Sequence, residues 1–285
     1  MGTTKKSKNQ KIIKKQVNKV IKRIPLGIVI CILIVGCIVG YLYYKKINDN
    51  KDSTNENNIK GNVAYLVQEG TTVDDVKITF LELFGTNGNP QIGDSVFIEC
   101  GDIDILIDAG EKASGSNTVV PFIEEHVSDN ILELVIVTHA DSDHLGGMVG
   151  LSNSYGALEV PGITYQYIVD FGYEGQTQLY KDYLEVRNKK IKEGTKYFSI
   201  GSIFDSDYLE AITRFYLGVD TYLDLLDYKT YEISEITDDN DRSVSCLLTH
   251  NDKKVLLCGD AEKKEEAYLT VSYTHLRAHE TLRHL

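Results

Sequence analysis

Cysteine is scarce: there are five in 285 residues, and no two form a Cys-x-x-Cys pair. That excludes a structural zinc clasp built from paired cysteines. Cys31 and Cys37 sit in a long apolar run, leaving Cys100, Cys246 and Cys258 for the rest of the chain. Cys246 and Cys258 fall on strands expected to pair and could oxidise outside a cell. Burial as small apolar side chains is the expected state. No internal repeat is evident. Acidic residues are missing from Met1 to Arg23, which carries nine Lys or Arg. Charge of either sign is missing from Ile24 to Tyr44.

These absences divide the chain into two physically different pieces. The net charge of −12 conceals 13 basic against 3 acidic residues in positions 1–60, and 17 against 39 in the remainder. Ile13, Val17, Val20 and Ile21 follow a roughly helical spacing, which fits a basic amphipathic helix at a membrane surface. A nucleic-acid-binding arm is the rival for such a run. The uncharged stretch decides between them, because its 21 residues suffice to cross a hydrocarbon core of about 30 Å. Tyr41, Tyr43 and Tyr44 stand at its far end, where an interfacial aromatic belt belongs, and the basic excess keeps the N-terminus cytoplasmic. The expected organisation is a basic arm (1–23), one transmembrane signal anchor (24–44), a flexible polar spacer (45–62) and an outward-facing acidic domain (63–270). Ile34-Val35-Gly36-Cys37 resembles a lipoprotein cleavage box, which would lipidate Cys37. Against it, Ile38 to Tyr44 stays apolar where such a box turns polar. A cleaved signal ends in small-x-small, and the first alanine is Ala64. An uncleaved anchor fits better.

The domain is organised around one stretch. Ile131 to Val137 is an apolar run that reads as a short buried strand. It stops at Thr138, and His139, Asp141, Asp143 and His144 follow within six residues. Gly146-Gly147 then lets the backbone turn sharply. Crowding like charges on one tight loop opposes folding, and a divalent cation removes that penalty through imidazole nitrogen and carboxylate oxygen. Solvated carboxylates on a polar loop are the bland alternative, which a lone His or Asp would favour and this cluster does not.

The order His139-x-Asp141-x-Asp143-His144-x-Gly146-Gly147 resembles the His-x-His-x-Asp-His signature of the metallo-β-lactamase fold superfamily. Asp141 stands where most members have the second His. That variant resembles the hydrolase-like domain of late-competence, ComEC-like proteins. Gly93-Asp94-Ser95 and Ile107-Asp108-Ala109-Gly110 resemble two further elements of that group. Asn240-Asp241-Arg242-Ser243-Val244 with Leu256-Leu257-Cys258-Gly259-Asp260-Ala261-Glu262 resembles a third. The resemblance covers roughly 63–270 and implies an α/β fold, the αββα sandwich. It also implies one or two divalent ions held by His139, Asp141, Asp143, His144 and a bridging Asp260. Asp143 is the ligand assigned to water activation, and Asp108, Gly146 and Gly147 support the loop from behind. Asp141 in place of a His hardens the donor set, moving the expected metal from zinc alone toward manganese or iron.

Elsewhere the residues say less. Strands are expected at 78–83, 95–100 and 103–108, with Asp102-Ile103-Asp104 as a turn region. A helix is expected at 118–126, a strand at 163–171 and a charged helix at 177–193. The Tyr-rich segment (Tyr165, Tyr167, Tyr173, Tyr180, Tyr183) is expected to pack an amphipathic face instead of lining a substrate wall. Cys246–Thr249 and Val255–Leu257 form a hairpin with His250 solvated at its tip, and His126 is a lone surface residue.

A metal pair lowers the pKa of bound water toward about 7, so the leading expectation is a membrane-anchored metallohydrolase of phosphodiesterase type. Hydrolysis of a lactone, lactam or other small ester is the alternative enzyme, and a non-catalytic surface-binding module the alternative class. The acidic domain argues against a broad nucleic-acid groove, which needs a basic track. The stretch 271–285 resembles a translated sequencing-adapter tail, so a native chain continuing past about residue 270 is expected.

Overall fold

The computed structural model describes residues 62–173, 175–200, 212–226, 238 and 240–272. All belong to the second of two units into which the chain divides, Ile59–Leu285. The expected basic arm, membrane anchor and nearly all of the spacer lie outside the described residues, as do residues 273–285. Among the described residues no helix is long and apolar enough to cross a membrane.

Strand β1 (Asn62–Tyr65) opens the described chain. A six-stranded sheet follows in simple order: β2 (Lys77–Phe80), β3 (Val96–Cys100), β4 (Ile103–Ile107), β5 (Ile131–Val137), β6 (Thr164–Asp170) and β7 (Lys196–Ser199). The first three strands are antiparallel, whereas β4 to β7 run parallel. Parallel neighbours need long crossovers. Between β4 and β5 the crossover is helical: α1 (Lys112–Ser114), a π-helical turn (Gly115–Val119) and α2 (Val120–His126). Between β5 and β6 it carries the His/Asp loop and α3 (Ser142–Leu145). Between β6 and β7 it is α4 (Gln178–Glu193), which Thr177 caps by accepting the Tyr180 N–H and Gly194 ends at φ +113°.

The second sheet has the order β1-β8-β9-β10-β11, with β8 (Ile212–Gly218), β9 (Thr221–Leu225), β10 (Cys246–His250) and β11 (Lys253–Leu257). Helix α5 (Lys263–Ser272) follows it. The two sheets share one core: Tyr167 of β6 meets Phe215 of β8 edge-on with ring centroids 5.3 Å apart. On the outer side of the first sheet Phe97 packs against Phe122 of α2. On the outer side of the second, Leu226 and Leu247 pack against Leu269 of α5. The layers therefore run helix, sheet, sheet, helix, the αββα order expected. Fully buried side chains such as Phe97 and Phe215 each contribute on the order of 1.5–3 kcal/mol relative to exposure.

β5 shows why the motif strand is legible. It pairs in parallel on both sides and is buried from Leu132 to Val137, and such strands have near-continuous apolar sequences. Its exception is Glu133, whose carboxylate accepts the Asp104 N–H at 2.9 Å. Burial, reinforced by neighbouring acids, pushes both carboxyls up to about 7.

Several expectations shift. Leu81–Leu83 leaves the β2 strand, because Leu83 is buried in a loop beneath Gly110. The β3–β4 turn is Gly101-Asp102, and Ile103 and Asp104 belong to β4. The helical run begins at Lys112 instead of Thr118. His126 is neither alone nor on open surface: its ring stacks on Phe122 at 3.9 Å and its Nδ1 lies 3.1 Å from Glu99. His250 is half-buried with Nδ1 2.7 Å from the Thr221 hydroxyl. Cys258 falls just past β11, so Cys246 faces Leu257, and no disulfide joins the two cysteines.

Candidate metal centre

The centre forms where the C-terminal ends of β4 and β5 lie side by side. Parallel pairing sets Ile107 opposite Ile136, so Asp108 and Thr138 emerge together. The Asp108 N–H donates to the Ile136 carbonyl at 2.9 Å. Asp108 is 1% exposed and left-handed at φ +57°, a conformation Asp tolerates better than most residues. One of its oxygens accepts the Thr138 N–H at 2.8 Å; the other lies 2.5 Å from Thr138 Oγ1 and 2.9 Å from His144 Nδ1.

Close backbone approaches hold the loop in place. Gly147 N–H donates to the Gly110 carbonyl at 2.7 Å, and a Cβ on Gly147 would stand 1.9 Å from the Ala109 oxygen. A Cβ on Gly146 would stand 2.8 Å from Lys112 N. The loop before β3 presses in from another side. The Asp94 N–H donates to the Asp143 carbonyl, and a Cβ on Gly93 would meet that oxygen at 1.9 Å. From the segments flanking the β10–β11 hairpin, the Val244 N–H donates to the Thr138 carbonyl, and Gly259 at φ +55° leaves room for Thr138. Ala140 N–H donates to the Tyr173 hydroxyl.

Both histidines are buried and their ring centroids are 4.2 Å apart. His144 turns Nδ1 to Asp108 and Nε2 to Asp260, at 3.4 Å. His139 turns Nδ1 to Thr138 Oγ1 and Nε2 toward Asp141, at 3.8 Å. His139 Nε2 is buried with no hydrogen-bond partner among the described residues. Asp94, His144 and Asp260 also bring three donor atoms within 4.8 Å of one another. These separations fit a cation. Donors about 2.1 Å from a tetrahedral ion lie roughly 3.4 Å apart, whereas 3.8 Å is too long for a hydrogen bond. Asp108 also clusters with both histidines, but its oxygens already accept from Thr138 and His144, so it stands behind them.

Charge is uneven across the pair. Burial opposes protonation of His144, yet hydrogen bonds and attraction from Asp108 and Asp260 push its pKa up to about 11. Burial holds His139 below the usual range, and the charge on His144 adds to that. To hold a divalent ion, His144 would have to give up the proton on Nε2.

Of the residues read from the sequence, His139, Asp141, His144 and Asp260 converge, with Asp108, Gly146 and Gly147 behind them. Neither Asp141 nor Asp143 joins a three-residue cluster found among the described residues; Asp141 reaches the centre through its 3.8 Å approach to His139 Nε2, and Asp143 shows no such approach. Its contact to the Asp94 loop is through its backbone carbonyl. Asp94 is a donor that the His/Asp motif does not include, although Gly93-Asp94-Ser95 carries part of the resemblance. Tyr173, expected to pack an amphipathic face, supports the loop through its hydroxyl. No sequence signal set Thr138 apart.

Solved structures similar to this chain include proteins of the metallo-β-lactamase fold. One is the metallo-β-lactamase fold protein YhfI from Bacillus subtilis, at 15% identity over 65% of this chain and 63% of that one, TM-score 0.37. Another is AidC, a dizinc quorum-quenching lactonase, at 11% identity over 66% and 73%, TM-score 0.36. Human tRNase Z, short form, is similar at 11% identity over 72% and 83%, TM-score 0.31. The chain thus spans less than two thirds of the length of the first of these. No protein-family model and no curated relative matches it. With these TM-scores below 0.5, the case for a metal centre rests on the chain's own geometry.

Proposed function

We propose that this chain is a metal-dependent hydrolase of phosphodiesterase type, with a metallo-β-lactamase fold and an outward-facing domain anchored by Ile24–Tyr44. The observation that carries the reading is the aim of two buried imidazoles. His139 and His144 direct Nε2 at the carboxylates of Asp141 and Asp260, and the buried His139 Nε2 has no hydrogen-bond partner among the described residues. Asp94 supplies a further oxygen. His139, Asp141, His144, Asp260 and Asp94 are the residues that would hold one or two ions; Zn, Mn and Fe all suit the mixed donor set. A bound divalent ion would supply a Lewis acid and water activated at neutral pH.

The chain's own groups then position and neutralise. The Asp108 carboxylate orients His144, and the Tyr173 hydroxyl holds the Ala140 peptide. Arg242 places its guanidinium 4.8 Å from the centre of the Tyr173 ring, one aromatic ring away from the His/Asp loop. That cation supports an anionic substrate. A neutral ester or lactone is the second reading, supported by Ile92, which is 73% exposed two residues before Asp94.

The test is metal analysis of the full chain together with turnover of a phosphodiester and a lactone. The phosphodiester should be hydrolysed, chelator should abolish turnover, and divalent metal should restore it. A chain that binds no divalent ion, or hydrolyses only the lactone, refutes the phosphodiesterase reading. Protease added to intact cells should remove the domain; survival of the domain with loss of the N-terminal arm refutes the orientation.

A further inference from the structure

The hydrogen bonds around Asp108 can be counted proton by proton. One carboxylate oxygen accepts the Thr138 N–H. The other faces Thr138 Oγ1 at 2.5 Å and His144 Nδ1 at 2.9 Å. A carboxylate offers only lone pairs, so both of these groups donate to it. A threonine hydroxyl has one proton, and here it is committed to Asp108. Toward His139 Nδ1, 2.9 Å away, that hydroxyl has only lone pairs left. His139 must therefore carry its proton on Nδ1. The opposite assignment would put the proton on Nε2, a buried atom with no hydrogen-bond partner among the described residues, and leave a buried donor unsatisfied.

We propose that Thr138 is a positioning residue that relays the Asp108 carboxylate to His139, so that one buried carboxylate fixes the metal-facing tautomer of both histidines. Histidine ligands commonly have their second nitrogen held by a partner of this kind; here one partner serves two ligands, directly for His144 and through a hydroxyl for His139. The packing suits the role. Thr138 is 1% exposed, its carbonyl accepts the Val244 N–H, and a Cβ on Gly259 would lie 2.8 Å from its Oγ1. The Thr138 side chain is thus packed closely against the Gly259-Asp260 turn. The purpose of the relay, though not its hydrogen bonding, rests on the metal-hydrolase reading.

The test is the two-bond proton–nitrogen correlation spectrum of 15N-histidine-labelled, metal-stripped full chain at mildly alkaline pH, with signals assigned by single His→Gln replacements. In the wild type, His139 should show protonated Nδ1 and bare Nε2. Thr138→Ser should preserve that pattern. Thr138→Val should lose it at His139 while leaving His144 protonated on Nδ1. Zinc affinity should fall about 10–100-fold in Thr138→Val and stay within about 2-fold of wild type in Thr138→Ser. A proton on Nε2 of His139 in the wild type overturns the proposal even where Thr138→Val fails to fold. So does a Thr138→Val chain with unchanged tautomer and zinc affinity. Should the wild type show the stated tautomers yet bind no metal, the relay stands and the metalloenzyme reading falls.

Discussion

Asp108→Asn isolates the charge at the hub of the centre. Asn fills the same volume and, like Asp, tolerates the φ of +57° found there, so neither a cavity nor new backbone strain accompanies the change. Its single carbonyl oxygen can still accept the Thr138 N–H. Its NH₂ must then face Thr138 Oγ1 and His144 Nδ1, where two donors now point at the carboxylate. The hydroxyl can rotate and the imidazole can move its proton to Nε2, so both contacts survive as neutral bonds. A hydrogen bond to a charged group contributes about 1.5–3 kcal/mol against about 0.5–1.5 for a neutral one. Three such bonds and the buried pairing with His144 together predict a loss of about 2–4 kcal/mol in the metal-free protein. Asp108→Ala should cost more, since left-handed strain of about 1–2 kcal/mol and a void are added. Urea unfolding of chelated protein measures both, with an unchanged m-value as the check that the denatured state is the same. Asp108→Asn within about 0.5 kcal/mol of wild type would refute the argument, because the carboxylate would then be contributing no more than an amide.

Three other outcomes are expected. Asp260→Ala and Asp94→Ala should each lower the bound metal per chain by plasma emission analysis while circular dichroism stays unchanged; full metal content in both would remove them as donors. Gly259→Ala should destabilise by roughly 1–3 kcal/mol, since it combines φ +55° with a Cβ 2.8 Å from Thr138, and a melting temperature equal to wild type would show that the turn can move away. Glu265 is fully buried against Ser245, and burial pushes its carboxyl from 4.5 up to about 8. The folded state therefore keeps a proton that the unfolded state has released, so stability falls as pH rises from about 4.5 to 8, by at most about 1.4 kcal/mol per unit. Glu265→Gln should flatten that fall, and an identical pH profile in the variant would refute the assignment.

The strands buried on both sides were legible because their sequences are apolar throughout. β5 appears from Ile131 to Val137 as its run of side chains dictates. Helix α4 was legible from its charge and its apolar spacing. The crossover before β5 was not. Its first turns contain Ser114, Gly115, Ser116 and Asn117, which are poor helix formers, and they wind through a π turn. What fixes them is distant: a Cβ on Gly115 would lie 2.3 Å from the backbone of Gly147. Leu81 to Leu83 misled for the opposite reason, because an apolar residue can be buried by a loop as well as by a strand.

The same division holds within the centre. His139, Asp141 and His144 are neighbours in sequence, so their convergence needs only a tight loop after a rigid strand, and the pattern was visible. Asp260 was reached through its Gly-Asp position after a strand. Asp94, Tyr173 and Thr138 act through contacts that no local pattern encodes: a backbone bond from the Asp94 loop to Asp143, a phenol accepting from Ala140, and a hydroxyl caught between a carboxylate and an imidazole. The motif identifies the atoms that can bind a metal, but not the partners that aim them. Those partners come from β4, from the loop before β3, from the segment after β6 and from the segments flanking the β10–β11 hairpin. An isolated His/Asp loop would therefore be expected to bind metal weakly. The affinity of the whole domain would measure how much the surrounding layers contribute by orienting two imidazoles in advance.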